Sequence, residues 1–264
     1  MIRFCSGLIL ILFFSSVCAP YLGLLPYDEI QLSDRLMPPS RSHWLGTDEL
    51  GRDVLSRLLY GGRVSFFVSV TVVSVSLAVG VTLGSICGYS GGWTEEFIMR
   101  LADILLAFPG ILLAIAIMAI LGPSLQNVVV ALVLICWVPY ARLARALTLK
   151  LRELDFVQAS RSLGASSFRI LFRHILPNMI PTLVVQASFS FAAILLAEAS
   201  LSFLGLGVQP PYPSWGTMLS EGKNHLLDAP FLMVFPGIAI FLSVLAFNLL
   251  GDALRDRLDP RFRL

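Results

Sequence analysis

Few residues in this 264-residue chain are placed to do chemistry. Glu198 is the one acid deep inside a long apolar stretch. An ionised carboxylate in hydrocarbon is costly, so such a group faces protein or a water-filled cavity. Three roles are compatible with that cost: lining a path across the membrane, hydrogen bonding to a neighbouring helix, or sitting at an interface. The third arises because the stretch ends near Gly205, only about 10 Å of helix further on. Asp103 is the other acid that a predicted span could use for an ion. His43, His174 and His225 are far apart, and Cys5, Cys18, Cys87 and Cys136 are scattered without metal-ligand spacing. Cys87 and Cys136 read as small hydrophobes. No glycine loop runs into Lys followed by Ser or Thr, the pattern that cradles nucleotide phosphates. The chain is therefore expected to have no catalytic residue, no cofactor and no metal site. What it does must come from its architecture.

That architecture is set by lipid. The chain is 56% hydrophobic and 14% charged, with mean hydropathy +0.82. A soluble domain carries about 25% charged residues, so this one cannot cover a water-facing surface. A net charge of +2 leaves no nucleic-acid footprint. A helix needs about 20 residues to cross the hydrocarbon. Charge-free stretches predict six spans, near 5–25, 65–88, 101–121, 125–141, 182–204 and 231–251. Gly122-Pro123-Ser124 divides the third from the fourth. Arg3, the first apolar run and Ser15 to Ala19 also have the make-up of a cleaved signal peptide, although the apolar character continues to Leu25. With the N-terminus inside, thirteen basic residues fall on inner segments and six on outer ones. The positive-inside rule then puts both termini in the cytoplasm.

Between spans four and five lies a charged segment, Arg142 to Pro181. Leu143, Leu147, Leu151 and Leu154 recur at helical spacing. Phe156 to Leu163 continues as a short helix that Gly164 can end in a left-handed turn. Ala165 to Ile175 makes a second helix, with Ser166 or Ser167 as its cap. Pro177 and Pro181 are expected to kink or restart the chain at the membrane. Such a helix, glycine corner and helix either rests on lipid headgroups or forms a rigid knuckle for a cytoplasmic partner. On the outer side, Trp44 is expected to anchor an interfacial segment, and Asp48 to cap a helix starting at Glu49. Residues 205–230 are expected to form a structured loop with a short helix over Thr217 to Leu227. His225 is expected to stand alone.

Phe156-Val157-Gln158-Ala159-Ser160-Arg161-Ser162-Leu163-Gly164, followed by His174-Ile175-Leu176-Pro177-Asn178, resembles the Glu-Ala-Ala coupling loop of bacterial ABC importer permeases. Gln158 stands where that pattern has glutamate, and Ser160 where it has its second alanine. Ala159, Gly164, Leu176 and Pro177 are kept. Three further stretches resemble the C-type permease subunit of dipeptide, oligopeptide and nickel importers. They are His43 to Asp53, Glu198 to Gly207 with Trp215-Gly216, and Phe247 to Asp256.

The resemblance implies an all-α, polytopic membrane protein with six transmembrane helices and the type I ABC importer permease fold. Residues 1–63 would form the first helix and outer loop. Residues 64–264 would form a five-helix core with a coupling loop at 142–181. It also implies partners: a second homologous permease subunit, two ATP-binding cassette ATPase subunits, and a periplasmic or lipid-anchored substrate-binding protein. Phe156, Gln158, Ala159, Ser160, Arg161, Gly164, Arg169, Leu176 and Pro177 would meet an ATPase. The substrate would be a di- or oligopeptide, with nickel or a nickel chelate as the alternative. Membrane lipid is a further expected partner, and nucleic acid is not. An ion-gradient transporter would need more charged or broken-helix sites within its spans than Glu198 and Asp103 supply. A membrane assembly or signalling protein is the third class.

Overall fold

The computed structural model describes residues 2–258 and is all α-helical among them. Ten helices follow in order: α1 (Ile2–Val17), α2 (Val54–Ser90), α3 (Gly92–Leu106), α4 (Gly110–Leu121), α5 (Leu125–Leu151), α6 (Asp155–Ser162), α7 (Ser167–Ile170), α8 (Leu176–Phe203), α9 (Trp215–Gly222) and α10 (Phe231–Leu258). Four stretches are long and apolar enough to cross a bilayer: α2, α5, the run Ser167–Phe203 through α8, and α10. The pair α3–α4 makes a fifth if it is taken as one broken span. The apolar part of α1, Cys5–Val17, falls short of that length.

Three expectations are corrected here. The third predicted span, 101–121, is two helices bent by 89°. Pro109 is the N-cap of α4 and lacks the N–H that would carry α3 onward. The first, 5–25, is α-helical only to Val17, and Pro20 lies in the short 3-10 turn that follows. Pro177 and Pro181 do not restart the chain. α7 passes through a π-turn at Leu171–Ile175 straight into α8, and Pro177 occupies the first turn, where no N–H is missed. The break at Gly122 is as expected. Gly122 has φ +83°, Ser124 caps α5, and the Asn127 amide donates to the Leu121 and Gly122 carbonyls at 2.8 and 3.0 Å. Residue 63, the expected end of the first segment, lies inside α2. Arg261 and Arg263, counted on the inner side, lie outside the described residues.

The bundle is organised around α2 and α5. Gly80, Gly84 and Gly88 recur every four residues on one face of α2. A Cβ on Gly80 would collide with the Trp137 carbonyl oxygen, and one on Gly84 with that of Ala141. On Gly88 it would lie 2.7 Å from Thr148 Cβ. Lipid gives little hydrophobic drive to pack helices together, so close backbone approach through small residues has to supply it. Ser65, Ser69 and Ser76 extend the row of small, fully buried residues toward the outer end of α2. The opposite side of the bundle is closed by α8 and α10, where Phe191 and Phe247 stack at 3.8 Å between centroids.

This seam predicts a sharp contrast between two glycines. Gly84→Val should lower the detergent-solubilised protein's melting temperature and membrane abundance, by about 3 kcal/mol or more of overpacking strain. Gly237→Ala, where a Cβ meets nothing within 4 Å, should be neutral. Thermal unfolding of the two variants checks both.

Candidate functional site

At the inner end of the bundle the expected knuckle is a folded object. α6 ends in a Schellman turn: Gly164 N–H donates to Arg161 O at 3.0 Å, and Ala165 N–H to Ser160 O at 3.1 Å. Gly164 has φ +78°, which explains the glycine, and a Cβ there would meet nothing within 4 Å. Ser166 caps α7 by accepting from Arg169 N–H at 3.3 Å. The roots of the knuckle are buried. Val157, Ile170 and Ile175 pack with Ala144 of α5, Val81 of α2, and Met179 and Leu183 of α8. Leu143, Leu147 and Leu151 join that cluster, whereas Leu154 of the same expected stripe is 40% exposed.

Its outer surface is apolar and open. Leu163 is 89% exposed and Phe168 69%, and the rings of Phe168 and Phe172 lie 4.3 Å apart. Phe156 is exposed and sits 6.2 Å from the His174 ring. Gln158, Ala159, Arg161 and Arg169 are exposed, and Ser160 is half-buried. Gln158 Nε2 donates to Arg152 O at 2.9 Å, and Ser160 Oγ to Phe156 O at 3.0 Å. Leu176 packs inward in the first turn of α8, and Pro177 faces out beside it. Seven of the nine expected residues are thus exposed on the knuckle, Ser160 is half-buried and Leu176 packs into its root. Arg152 Nη1 donates to Gly88 O at 2.7 Å and ties the start of this segment to the end of α2.

Glu198 is 1% exposed, so simple interfacial exposure does not describe it. Its Oε1 accepts from Ser202 Oγ at 2.7 Å. The hydroxyls of Ser65 and Ser214 face the same carboxyl, but Oε2 closes no hydrogen bond of standard geometry. Asp103 does not stand free within a span. It pairs with Arg142 where α3 meets α5, and Glu95 pairs with Arg145 beside it.

The outer end holds a charge network that was not read from the sequence. Asp48 does not cap a helix at Glu49. Asp53 caps α2 instead, accepting from Ser56 N–H at 2.8 Å. Asp48 accepts from Arg52 Nε at 2.7 Å and from Arg57 Nη1. Glu221 of α9 accepts from both arginines, at 3.3 and 3.2 Å. Asp48, Arg52 and Arg57 are each under 7% exposed. His225, expected to stand alone, is paired with Glu49 at 3.2 Å, and His43 is paired with Asp53 at 3.0 Å. The expected helix over Thr217 to Leu227 is α9 followed by a 3-10 turn at Lys223–His225. The available signal was the coincidence of three acids and two arginines within Asp48 to Arg57, which a charge tally treats as nearly cancelling. Trp44, the expected anchor, is 71% exposed.

The family described as "Binding-protein-dependent transport system inner membrane component" matches residues 80–264, from the glycine seam through the knuckle. The chain belongs to this family. It is 50% identical over 243 residues to the glutathione transport system permease protein GsiD of Pectobacterium atrosepticum, covering 91% of this chain and 81% of that one. It is 47% identical to the dipeptide transport system permease protein DppC of Alkalihalophilus pseudofirmus, covering 97% and 85%. A chain of the inward-facing MetNI methionine ABC transporter superposes with TM-score 0.57 at 19% identity, covering 78% of this chain and 94% of that one, which shows the shared fold. The protein is thus a multi-pass, non-catalytic permease subunit of an ABC importer.

The outer network gives a pH prediction. Burial alone would raise the Asp48 pKa, but Arg57 and Arg52 more than offset it and hold the carboxyl below its usual range. A depressed folded pKa contributes stability above the unfolded value, lost as pH falls through the folded one. The Asp48 contribution to stability should therefore be constant at neutral pH and fall only below the ordinary carboxylate range. Asp48→Asn leaves two buried arginines with the single carboxylate of Glu221 and should cost about 3 kcal/mol. Melting curves across pH for both proteins test the sign and the size.

Proposed function

We propose that this permease subunit forms half of the translocation pore of an importer for di- and oligopeptides. A second homologous permease supplies the other half, two ATPase subunits bind below, and an extracytoplasmic binding protein delivers substrate. The knuckle is the observation that carries this reading. Its roots are packed into three membrane-crossing helices, while Leu163, Phe168 and Phe172 form an exposed apolar crest. A crest of that kind, far larger than a lone surface leucine, suits a protein cleft. Phe156, Gln158, Ala159, Ser160, Arg161, Gly164, Arg169, Leu176 and Pro177 are assigned to the coupling surface. Closing of the ATPases on ATP swings the two knuckles, and the pore exchanges between inward- and outward-open states. Glu198 is assigned to a structural contact between α8 and α2, given its burial against Ser202 and its approach to Ser65.

Peptide substrates are favoured because two relatives near half-identical to this chain are named for glutathione, itself a tripeptide, and for dipeptides. Nickel has no comparable support. Six crossings follow if α1 and the bent pair α3–α4 each count as one, with both termini cytoplasmic. A single cysteine at Ser40, in a chain with its native cysteines replaced by alanine, should react with an impermeant maleimide from outside. One at Ser166 should react only after the membrane is opened. The reverse pattern would invert the assigned topology.

The coupling assignment is tested at Gly164. A β-branched residue is strained at φ +78° whatever the space around it. Gly164→Val should leave membrane abundance within about twofold of wild type, since a local strain of this kind is on the order of 1–3 kcal/mol. ATPase pull-down, or ATP-driven uptake in reconstituted vesicles, should fall at least tenfold. Ala159→Asp, on the exposed face, should behave alike. Full ATPase retention with full uptake in both variants would reduce the knuckle to a helix pair resting on the membrane surface.

A further inference from the structure

A cavity of about 730 Å³ opens at the outer half of the bundle, between α1, the first half of α2, Leu125 of α5 and the segment Val208–Pro213. Its make-up is graded. Phe13 and Val17 of α1 and Phe67 and Val70 of α2 line its apolar depth. Arg63, Tyr27, Tyr60 and Tyr212 form its polar rim. Arg63, Phe67 and Val70 share one face of α2 and are all exposed. Arg63 has no ion-pair partner among the described residues. The three tyrosines cluster, with Tyr27 4.6 Å from Tyr60 and 6.2 Å from Tyr212 between ring centroids. Burial, then Asp28 and the other two tyrosines, push the Tyr27 phenol up from its ordinary value, so it stays a neutral donor.

Depth along α2 places this rim. Arg63 lies roughly 13 Å from the start of α2 and roughly 40 Å from its inner end at Ser90. The full bilayer with its interfaces is about 40–45 Å thick. With the inner end of α2 at the cytoplasmic interface, Arg63 is at the opposite headgroup layer and the cleft runs down into hydrocarbon. Tyrosine is enriched at that level.

The geometry points to a phospholipid site, in which Arg63 and the tyrosine hydroxyls take the headgroup phosphate and one acyl chain fills the cleft between α1 and α2. The charge pattern fits this occupant. No acid lines the cavity, and Asp28 beside the Tyr27 phenol is exposed to solvent, so the one charge facing the cleft is that of Arg63, which an amphiphile with an anionic head and apolar tail matches. The site does not depend on what the importer carries.

Photolabelling of the assembled importer in membrane discs tests it, with phosphatidylglycerol bearing a diazirine on its acyl chain as probe. Wild type should be labelled on α1 and on 60–70 of α2. Arg63→Gln should reduce that labelling at least tenfold, Arg63→Lys should keep it within threefold, and Val70→Trp, which fills the cleft, should abolish it. Unlabelled phosphatidylglycerol should compete, and glycerol phosphate or diacylglycerol alone should not. Equal labelling of wild type, Arg63→Gln and Val70→Trp would mean unspecific annular lipid and overturn the site. Competition by a dipeptide would give the cavity to cargo, and cysteine cross-links from Phe67 to the second permease would give it to that subunit. Either would equally overturn the proposal. Because the readout is lipid labelling, its failure leaves the uptake assays, and with them the import reading, untouched.

Discussion

The fold depends on the contact between α2 and α5. In water, two apolar helices are pressed together by solvent. In lipid that pressure is absent, and association rests on dispersion between surfaces that fit. Three glycines on α2 let its backbone reach the carbonyl oxygens of α5, a distance no larger residue allows. Everything else is arranged about that seam. α3 pairs Asp103 and Glu95 with Arg142 and Arg145 of α5, and α8 lays Met179, Leu183 and Leu195 against the remaining faces. The elbow between α3 and α4 is possible because neither helix has to carry the bundle.

The outer end is held by different physics. Residues 18–53 contain little regular structure and could not by themselves be fixed against the membrane. Asp48 fixes them with both carboxylate oxygens, taking two backbone N–H groups from its own turn and two arginines from the entry to α2. Glu221 then brings α9 onto the same arginines, and Trp215 donates from α9 to Leu58 O at 2.8 Å. A buried ion pair returns little net stability over an apolar contact of equal volume, since desolvation consumes most of the attraction. Its use here is geometric. Two arginines with fixed forks admit only one arrangement of the loop, α2 and α9.

How much of this was legible in the sequence follows the same division. Four of the six expected spans, the break at Gly122 and the corner at Gly164 were readable because apolar length and glycine punctuation are local signals. The seam was visible as glycines at 80, 84 and 88, yet a count of apolar residues is blind to a row of small ones. The bend between α3 and α4 was not read because Phe108-Pro109-Gly110 carries no charge to interrupt the stretch. The outer network was illegible for a deeper reason. Asp48 and Glu221 are far apart in sequence, and a charge tally cannot tell paired, buried groups from solvated ones. Glu198 was recognised as unusual, but its neighbour Ser65 comes from another helix, so only the fold could say what it faces.

One consequence joins the two ends. Among the membrane-crossing helices α5 carries Pro139, α8 Pro181 and α10 Pro236, while α2 has no internal proline. An interior proline removes a backbone hydrogen bond and gives a helix a place to bend. α2 therefore has fewer places to bend than its neighbours, over its roughly 55 Å length. Its outer end is gripped by Asp48 and Glu221 through Arg57, and its inner end by Arg152, which leads into the knuckle. The proline-bearing helices thus have sites at which they can flex that α2 lacks. The glycine seam keeps α5 against α2 along its inner half, so α5 is left to bend only where Pro139 and the segment outside it permit. The knuckle and the charge network are consequently tied to the two ends of one helix, α2.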